Sequence, residues 1–324
     1  MPWGKPRPLI VSALVWSAWP DGWDSSMASV PDPSELAGHG VRVPARRHGT
    51  LRRALSWIAE HSFVAIGGRW LYRSRHLAAG RFVERFETVL VPGLDPALEG
   101  LTIAQLSDLH AGAFLGPGDL SAVVAAVARH CPDMVVITGD MIAHHWEESL
   151  TVLDDLAQLQ SPLGTYAVFG NHDYRGRNEG RIAEAYAERG IRFLRNECER
   201  FEMGNGVLAL VGLEDLEEAK DVDLDKARGP VQVGDVEIVL CHNPRGASAI
   251  AGAGCTAILS GHTHGTQVDL PLLRRLGPQH PGLRLDLGTT TLIVSRGLGV
   301  VAVPMRVGVP AEVVYLQLKG CSPL

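Results

Sequence analysis

The chain has 324 residues, 46% of them hydrophobic and 20% charged, with a formal net charge of −6 at pH 7. That length suits one large domain or two small ones, and the acidic balance argues against any long nucleic-acid partner, whose phosphates call for a basic surface. Five scattered cysteines, Cys131, Cys198, Cys241, Cys255 and Cys321, form no C-x-x-C pair, which excludes an evident disulfide framework or thiolate zinc site and favours a reducing compartment.

Residues 1–47 are rich in proline, glycine and tryptophan and show no sustained period. An apolar stretch at 9–19 follows Lys5 and Arg7, so the segment reads either as a poorly ordered leader or as an export signal or membrane anchor, although the stretch is too short to span a bilayer. An N-terminal extension over 48–99 comes next. Leu51, Ala54, Leu55, Ile58 and Ala59 recur at helical spacing until Gly67-Gly68 interrupts them. Such a helix either packs on the domain or lies in a membrane surface, and packing is the commoner fate. Residues 82–91 then alternate like a strand and end at Pro92-Gly93.

Strand-like runs follow at 101–106, 134–138, 166–169, 207–211, 236–240 and 257–259, at first alternating with helix-like stretches at 120–129, 149–159 and 180–189. Alternation of this kind predicts parallel pairing in a layered α/β domain, with ligands gathering at the carboxyl ends of the strands. Residues 283–287, 291–295 and 313–318 read as further strands that would complete a second sheet.

The chemistry sits at those strand ends. Asp108 and His110 follow the first run, and side chains two apart in an extended segment point the same way. Gly139-Asp140, Gly170-Asn171-His172-Asp173, His242-Asn243 and Gly261-His262-Thr263-His264 follow later runs. A glycine there lets the backbone turn sharply. Asp108, His110, Asp140, Asn171, His242, His262 and His264 make seven oxygen and nitrogen donors without a thiolate. Seven exceed what one tetrahedral zinc takes and suit two metal ions sharing a bridging carboxylate, for which Asp140 is the natural choice.

These five motifs, in this order, resemble the signature of the calcineurin-like metallophosphoesterase family over roughly residues 100–319. The sequences 260–265 and 295–299 are similar to a bacterial branch whose members often carry an amino-terminal membrane anchor or export signal; Thr266 departs from it, standing where a second glycine is usual. The resemblance implies an α/β sandwich of two sheets flanked by helices, and a hydrolase in which Asp108, His110, Asp140 and His264 hold one metal and Asp140, Asn171, His242 and His262 the other. A histidine-rich set favours manganese, iron or zinc.

His172 is left over from coordination. A water bridging two cations loses its proton readily and attacks phosphorus in line, and His172 is placed to protonate the leaving group, with Asp173 or a backbone carbonyl orienting the ring. A hydrogen bond to phosphate or to the loop is the alternative role. His144 and His145 are expected in solvated loop, Arg175 and Arg177 either at substrate phosphate or exposed, and Asn243 in fixing its loop. The expected function is a dinuclear metal-dependent phosphoesterase acting on a phosphodiester, pyrophosphate or phosphomonoester, with lipids and sugar nucleotides among the substrates considered; the alternative is a non-catalytic scaffold of the same fold. A cytoplasmic protein touching the membrane peripherally, or one exported or anchored through its N-terminus, are the two expectations for location.

Overall fold

The computed structural model describes residues 50–269 and 282–322. The leader expected over 1–47 lies outside them, as do His39, His48 and His280.

Helix α1 (Thr50–Ala65) ends where Gly67 takes a left-handed φ of 89°, and α2 (Gly68–Tyr72) runs on into a π-turn, Arg73–Leu77. Strand β1 (Val83–Pro92) follows. Next come β2 (Thr102–Leu106), α3 (Ser121–His130), β3 (Met134–Thr138), a 3-10 turn and short α4 (Leu153–Leu156), β4 (Thr165–Val168), α5 (Glu179–Ala187) and β5 (Ile191–Phe193). The second half supplies β6 (Glu197–Met203), β7 (Gly206–Gly212), α6 (Leu224–Arg228), β8 (Val236–Leu240), α7 (Ala247–Gly252), β9 (Ala257–Ser260), β10 (Arg284–Leu287), β11 (Thr290–Val294) and β12 (Glu312–Cys321).

Two six-stranded sheets result, in the orders β1-β12-β2-β3-β4-β5 and β10-β11-β9-β8-β7-β6. Strands β2 to β5 are parallel, as the strand-helix alternation predicts, and so are β7, β8, β9 and β11. The strands explain their own near-continuous hydrophobicity, because each is covered on both faces. Ile103, Met134, Val136, Leu210, Ile238 and Leu240 pack in one apolar cluster that draws on both sheets, whereas their neighbours Ala104, Val135, Ile137, Val211 and Val239 pack in the other, with residues of the helices.

One expectation changes. Residues 313–318 do not finish the second sheet: β12 lies in the first, antiparallel to β2 and parallel to β1 over ten residue pairs. The N-terminal extension thus supplies an edge strand to the sheet that carries β2 and β3. Pairing partners depend on contacts distant in sequence, which strand propensity does not encode. The side chains of helix α1 are described from Trp57 on, and among them Phe63 packs, partly buried, against the core. Trp57, Ile58 and Val64 are exposed, and the buried residue is Glu60.

Candidate metal centre

The loops at the carboxyl ends of β2 and β3 run side by side. Asp108 N donates to Gly139 O at 2.9 Å, His110 N to Asp140 O at 3.0 Å and Ala111 N to Met141 O at 2.9 Å. Asp108 and His110 therefore converge, but not as alternate residues of an extended strand. Both have left-handed backbone, φ 50° and 45°, as do Asp140 (56°), His262 (69°) and His264 (51°). Aspartate and histidine tolerate this region better than most residues, at a cost of roughly 1 kcal/mol each, and clusters of such strain mark sites that the surrounding fold holds in place.

Two glycines act through closeness rather than φ. A Cβ on Gly170 would lie 2.3 Å from Asp140 Oδ1 and 2.8 Å from His242 Cε1, and one on Gly261 would lie 2.0 Å from Ser107 Oγ and 2.3 Å from Asp108 Oδ2. Only a hydrogen fits there. Gly261 thereby brings the next backbone N–H, that of His262, to 2.9 Å from Asp108 Oδ1.

Asp108, His110, Asp140 and His264 form a buried group whose ligand atoms all lie within 4.8 Å of one another. His110 Nε2 and His264 Nε2 are 2.9 Å apart, His264 Nε2 is 3.4 Å from Asp108 Oδ1, and His110 Nε2 is 3.4 Å from Asp140 Oδ2. Two imidazole nitrogens facing each other so closely need an electropositive centre, a proton or a metal ion, between their lone pairs. The donor set, nitrogen and oxygen without a thiolate, is therefore fit for a metal ion.

The other sequence-predicted donors adjoin this group. His242 Nε2 is also 3.4 Å from Asp140 Oδ2, while its Nδ1 meets the Thr138 carbonyl at 2.7 Å. His262 Nδ1 lies 3.0 Å from Asn171 Oδ1 and 3.3 Å from His242 Nε2. All seven donors thus meet at one end of the sandwich. Carboxylates and imidazoles shift one another's proton affinity there. Burial pushes the Asp140 carboxyl up, but His242, His172 and His110 together hold it well below the carboxylate range. Burial acts to lower His242, and Asp140 outweighs it, holding that imidazole well above its ordinary value. Away from that pair burial wins, raising Asp108 to about 6 and lowering His110 to about 4.

Asp173 is fully buried and accepts hydrogen bonds from the N–H groups of Gly170, Asp140, Met141 and Ile142. It ties the β3 and β4 loops together. The His172 ring is met instead by the Ala143 carbonyl, 3.1 Å from Nδ1. His172 stands edge-on to His110, ring centroids 4.5 Å apart, and its Nε2 lies 3.0 Å from Arg175 Nη2. Burial holds His172 well below the usual imidazole value despite the charge of Asp140.

His144 is not in solvated loop, as its place a few residues beyond Asp140 suggested. It is half-buried, with Nε2 2.6 Å from Glu60 Oε2, because α1 folds back over this loop. His145 is exposed. Arg177 is exposed and donates to the Glu218 carbonyl. Asn243 fixes its loop as expected, accepting from Arg245 N and donating to Glu217, and Cys241 packs inside as expected.

The sequence reading passed over three contributors. Gln105 donates both to Thr138 Oγ1 and to the Ser260 carbonyl, each at 2.9 Å, and so links the two sheets directly behind the site. After β7, Gly212-Leu213-Glu214-Asp215 repeats the strand-then-glycine-then-acid signal. There Asp215 is buried and Glu217 Oε1 comes 3.8 Å from His262 Nε2. Glu60, in the extension, is the third.

Fold and cluster together define a metal-site protein of the α/β sandwich class. The chain belongs to the calcineurin-like phosphoesterase family, whose model matches residues 101–266. It is 32% identical over 252 residues to a transmembrane protein with metallophosphoesterase domain from Bos taurus, a match covering 72% of this chain and 56% of that protein. Thus the chain spans little more than half of that relative. The uncharacterized metallophosphoesterase YkuE of Bacillus subtilis (strain 168) is 27% identical over 268 residues, covering 80% of this chain and 93% of YkuE. Among solved structures, the NAD nucleotidase of Haemophilus influenzae aligns with a TM-score of 0.42 and 19% identity, over 62% of this chain and 45% of that one. No helix among the described residues is long and apolar enough to cross a membrane.

Proposed function

We propose that the protein is a dinuclear metal-dependent phosphoesterase that hydrolyses a phosphodiester, pyrophosphate or phosphomonoester. The observation that carries this reading is the position of Asp140. One carboxylate oxygen, Oδ2, lies 3.4 Å from Nε2 of both His110 and His242, midway between two donor groups. In this reading Asp108, His110 and His264 share one ion with Asp140, while Asn171, His242 and His262 share the other. Two such ions would supply positive charge to phosphoryl oxygens and lower the pKa of a water molecule to the neutral range.

The chain's own groups do the remainder. Arg175 lies half-buried beside His172, with a planar pair of donors suited to a phosphate oxygen pair. His172 Nε2 accepts from Arg175 in this conformation. An anionic ester that draws the guanidinium to itself leaves that nitrogen able to hold a proton and pass it to the departing alkoxide.

The segment 50–82 favours a lipid-linked ester at a membrane surface. It holds six arginines and a single acid, Glu60, within a chain of net charge −6. On it Trp57, Ile66 and Trp70 are 46%, 79% and 73% exposed. Exposed tryptophans with surrounding arginines suit the interface of an anionic bilayer.

The test is turnover of p-nitrophenyl phosphate and its bis-ester with manganese by wild type, Asp140→Asn and His172→Ala. Wild-type turnover is expected, with a loss of about a thousandfold or more in Asp140→Asn and a smaller one in His172→Ala, because p-nitrophenolate leaves with little help from an acid. Equal rates in all three proteins would sink the proposal.

A further inference from the structure

Glu60 is the one acid of a segment otherwise basic, and it is 2% exposed. A buried carboxylate is costly unless its oxygens are satisfied, so their partners say what the residue is for. Oε1 accepts from Ala302 N at 3.1 Å, and Oε2 lies 2.6 Å from His144 Nε2.

The direction of each hydrogen bond then follows. A carboxylate only accepts, so His144 Nε2 carries the hydrogen. Arg175 Nη1 lies 3.2 Å from His144 Nδ1. A guanidinium only donates, so Nδ1 must present a lone pair and the ring is neutral. Arg175 Nη1 also donates to the Ala143 carbonyl, and Nη2 lies 3.0 Å from His172 Nε2. His172 Nε2 is therefore the acceptor, and its Nδ1–H donates to Ala143 O. Five groups from three distant parts of the chain share one polarity, and that polarity starts at Glu60. Without the carboxylate, His144 loses what fixes its tautomer, and a hydrogen on Nδ1 would face the guanidinium.

We propose that Glu60 and His144 are positioning residues that hold Arg175 and His172 at the pocket, which makes helix α1 a working part of the site rather than an appendage. The inference rests on the phosphoesterase reading for its chemistry, but its geometry can be tested separately. Residues that orient a group in contact with the reaction typically matter by about 10–100-fold.

The experiment uses the full metal-loaded chain as wild type, Glu60→Gln, Glu60→Ala and His144→Ala, with kcat and KM measured on phenyl phosphate and on p-nitrophenyl phosphate. The first has a poor leaving group that needs a proton and the second a good one that does not. The two alanine variants are expected to lose about tenfold in kcat on phenyl phosphate and less than about twofold on p-nitrophenyl phosphate, with metal content and Tm unchanged. Glu60→Gln, which keeps an acceptor oxygen, should recover part of the loss. Equal losses on both esters, or none, would overturn the proposal. A second arm reads the ring nitrogens of His172 by 15N NMR in the zinc-loaded protein. They should shift in Glu60→Ala and His144→Ala alike, and unmoved signals overturn the positioning role whatever the activity. If the signals move while wild type turns over no ester, the phosphoesterase reading fails and the positioning role stands.

Discussion

The strand-end loops and the N-terminal helices invert the ordinary rule of protein surfaces in opposite senses. In the loops, aspartates and histidines are buried, with Asp108, His110, Asp140 and His242 shut almost wholly from solvent. In the helices and the turn that joins them, Trp57, Ile66 and Trp70 stand in it. Buried polar clusters and exposed large apolar residues are both departures that burial alone would remove. Within one chain they separate a place where charge is concentrated from a place where apolar surface is offered, and Glu60 joins them, sitting on the helix and bonding into the loop.

The sharpest way to break this contrast is at its charged pole. Asp140→Asn removes the charge shared by His110 and His242, and metal retention and ester hydrolysis should fall together by about a thousandfold or more, an effect of roughly 4 kcal/mol. Metal content and turnover measured on one preparation check it. Unaltered metal content would separate Asp140 from coordination.

Packing around that pole comes next. Gly261→Ala would set a methyl group 2.0 Å from Ser107 Oγ and 2.3 Å from Asp108 Oδ2. Overpacking there should cost about 1–3 kcal/mol of stability by urea titration and weaken metal binding as Asp108 is displaced. A substitution without effect would show that the close approach is not needed.

A third test uses pH. Burial is the main force that pushes the Asp215 carboxyl up to about 7, with Asp140 adding to it and His242 opposing. The folded protein keeps this proton up to about pH 7, whereas the unfolded chain loses it in the usual carboxylate range. The group's contribution to stability is thus fully present below that range and is lost as pH rises through about 7. Metal-free wild type should lose stability between pH 4 and about 8 more steeply than Asp215→Asn, whose amide oxygen still accepts from the 217 and 218 backbone. Parallel pH profiles would contradict this.

The smallest effect on stability belongs to the apolar pole. Replacing Trp57, Ile66 and Trp70 by serine should change stability by no more than about 0.5 kcal/mol each. Binding to vesicles containing anionic lipid should nevertheless fall at least about tenfold, measured by flotation. Persistent flotation would remove the membrane argument.

Much of this was legible in the residues alone. Strand periodicity placed β2, β3, β8 and β9 within a residue of their observed bounds, since buried strands announce themselves by unbroken apolar runs. The seven donors were legible because each follows such a run in phase. How they converge was not: left-handed backbone at five of them and the contacts of Gly170 and Gly261 depend on neighbours across the fold. Short β5 carries too few residues to show a period, and β6 alternates charged and apolar residues on an exposed edge. Glu60 was hidden for another reason. A lone acid on a helix reads as a solvated charge until the loop it bonds is brought beside it.

The central claim is that loops from both sheets converge on two metal sites sharing Asp140. Elemental analysis of protein purified without chelator, joined to anomalous diffraction at the metal edge, tests it most directly. The account predicts two ions per chain, one on each side of the Asp140 carboxylate. Metal-free protein that takes up none on reconstitution, or ions lying away from Asp140, would contradict it.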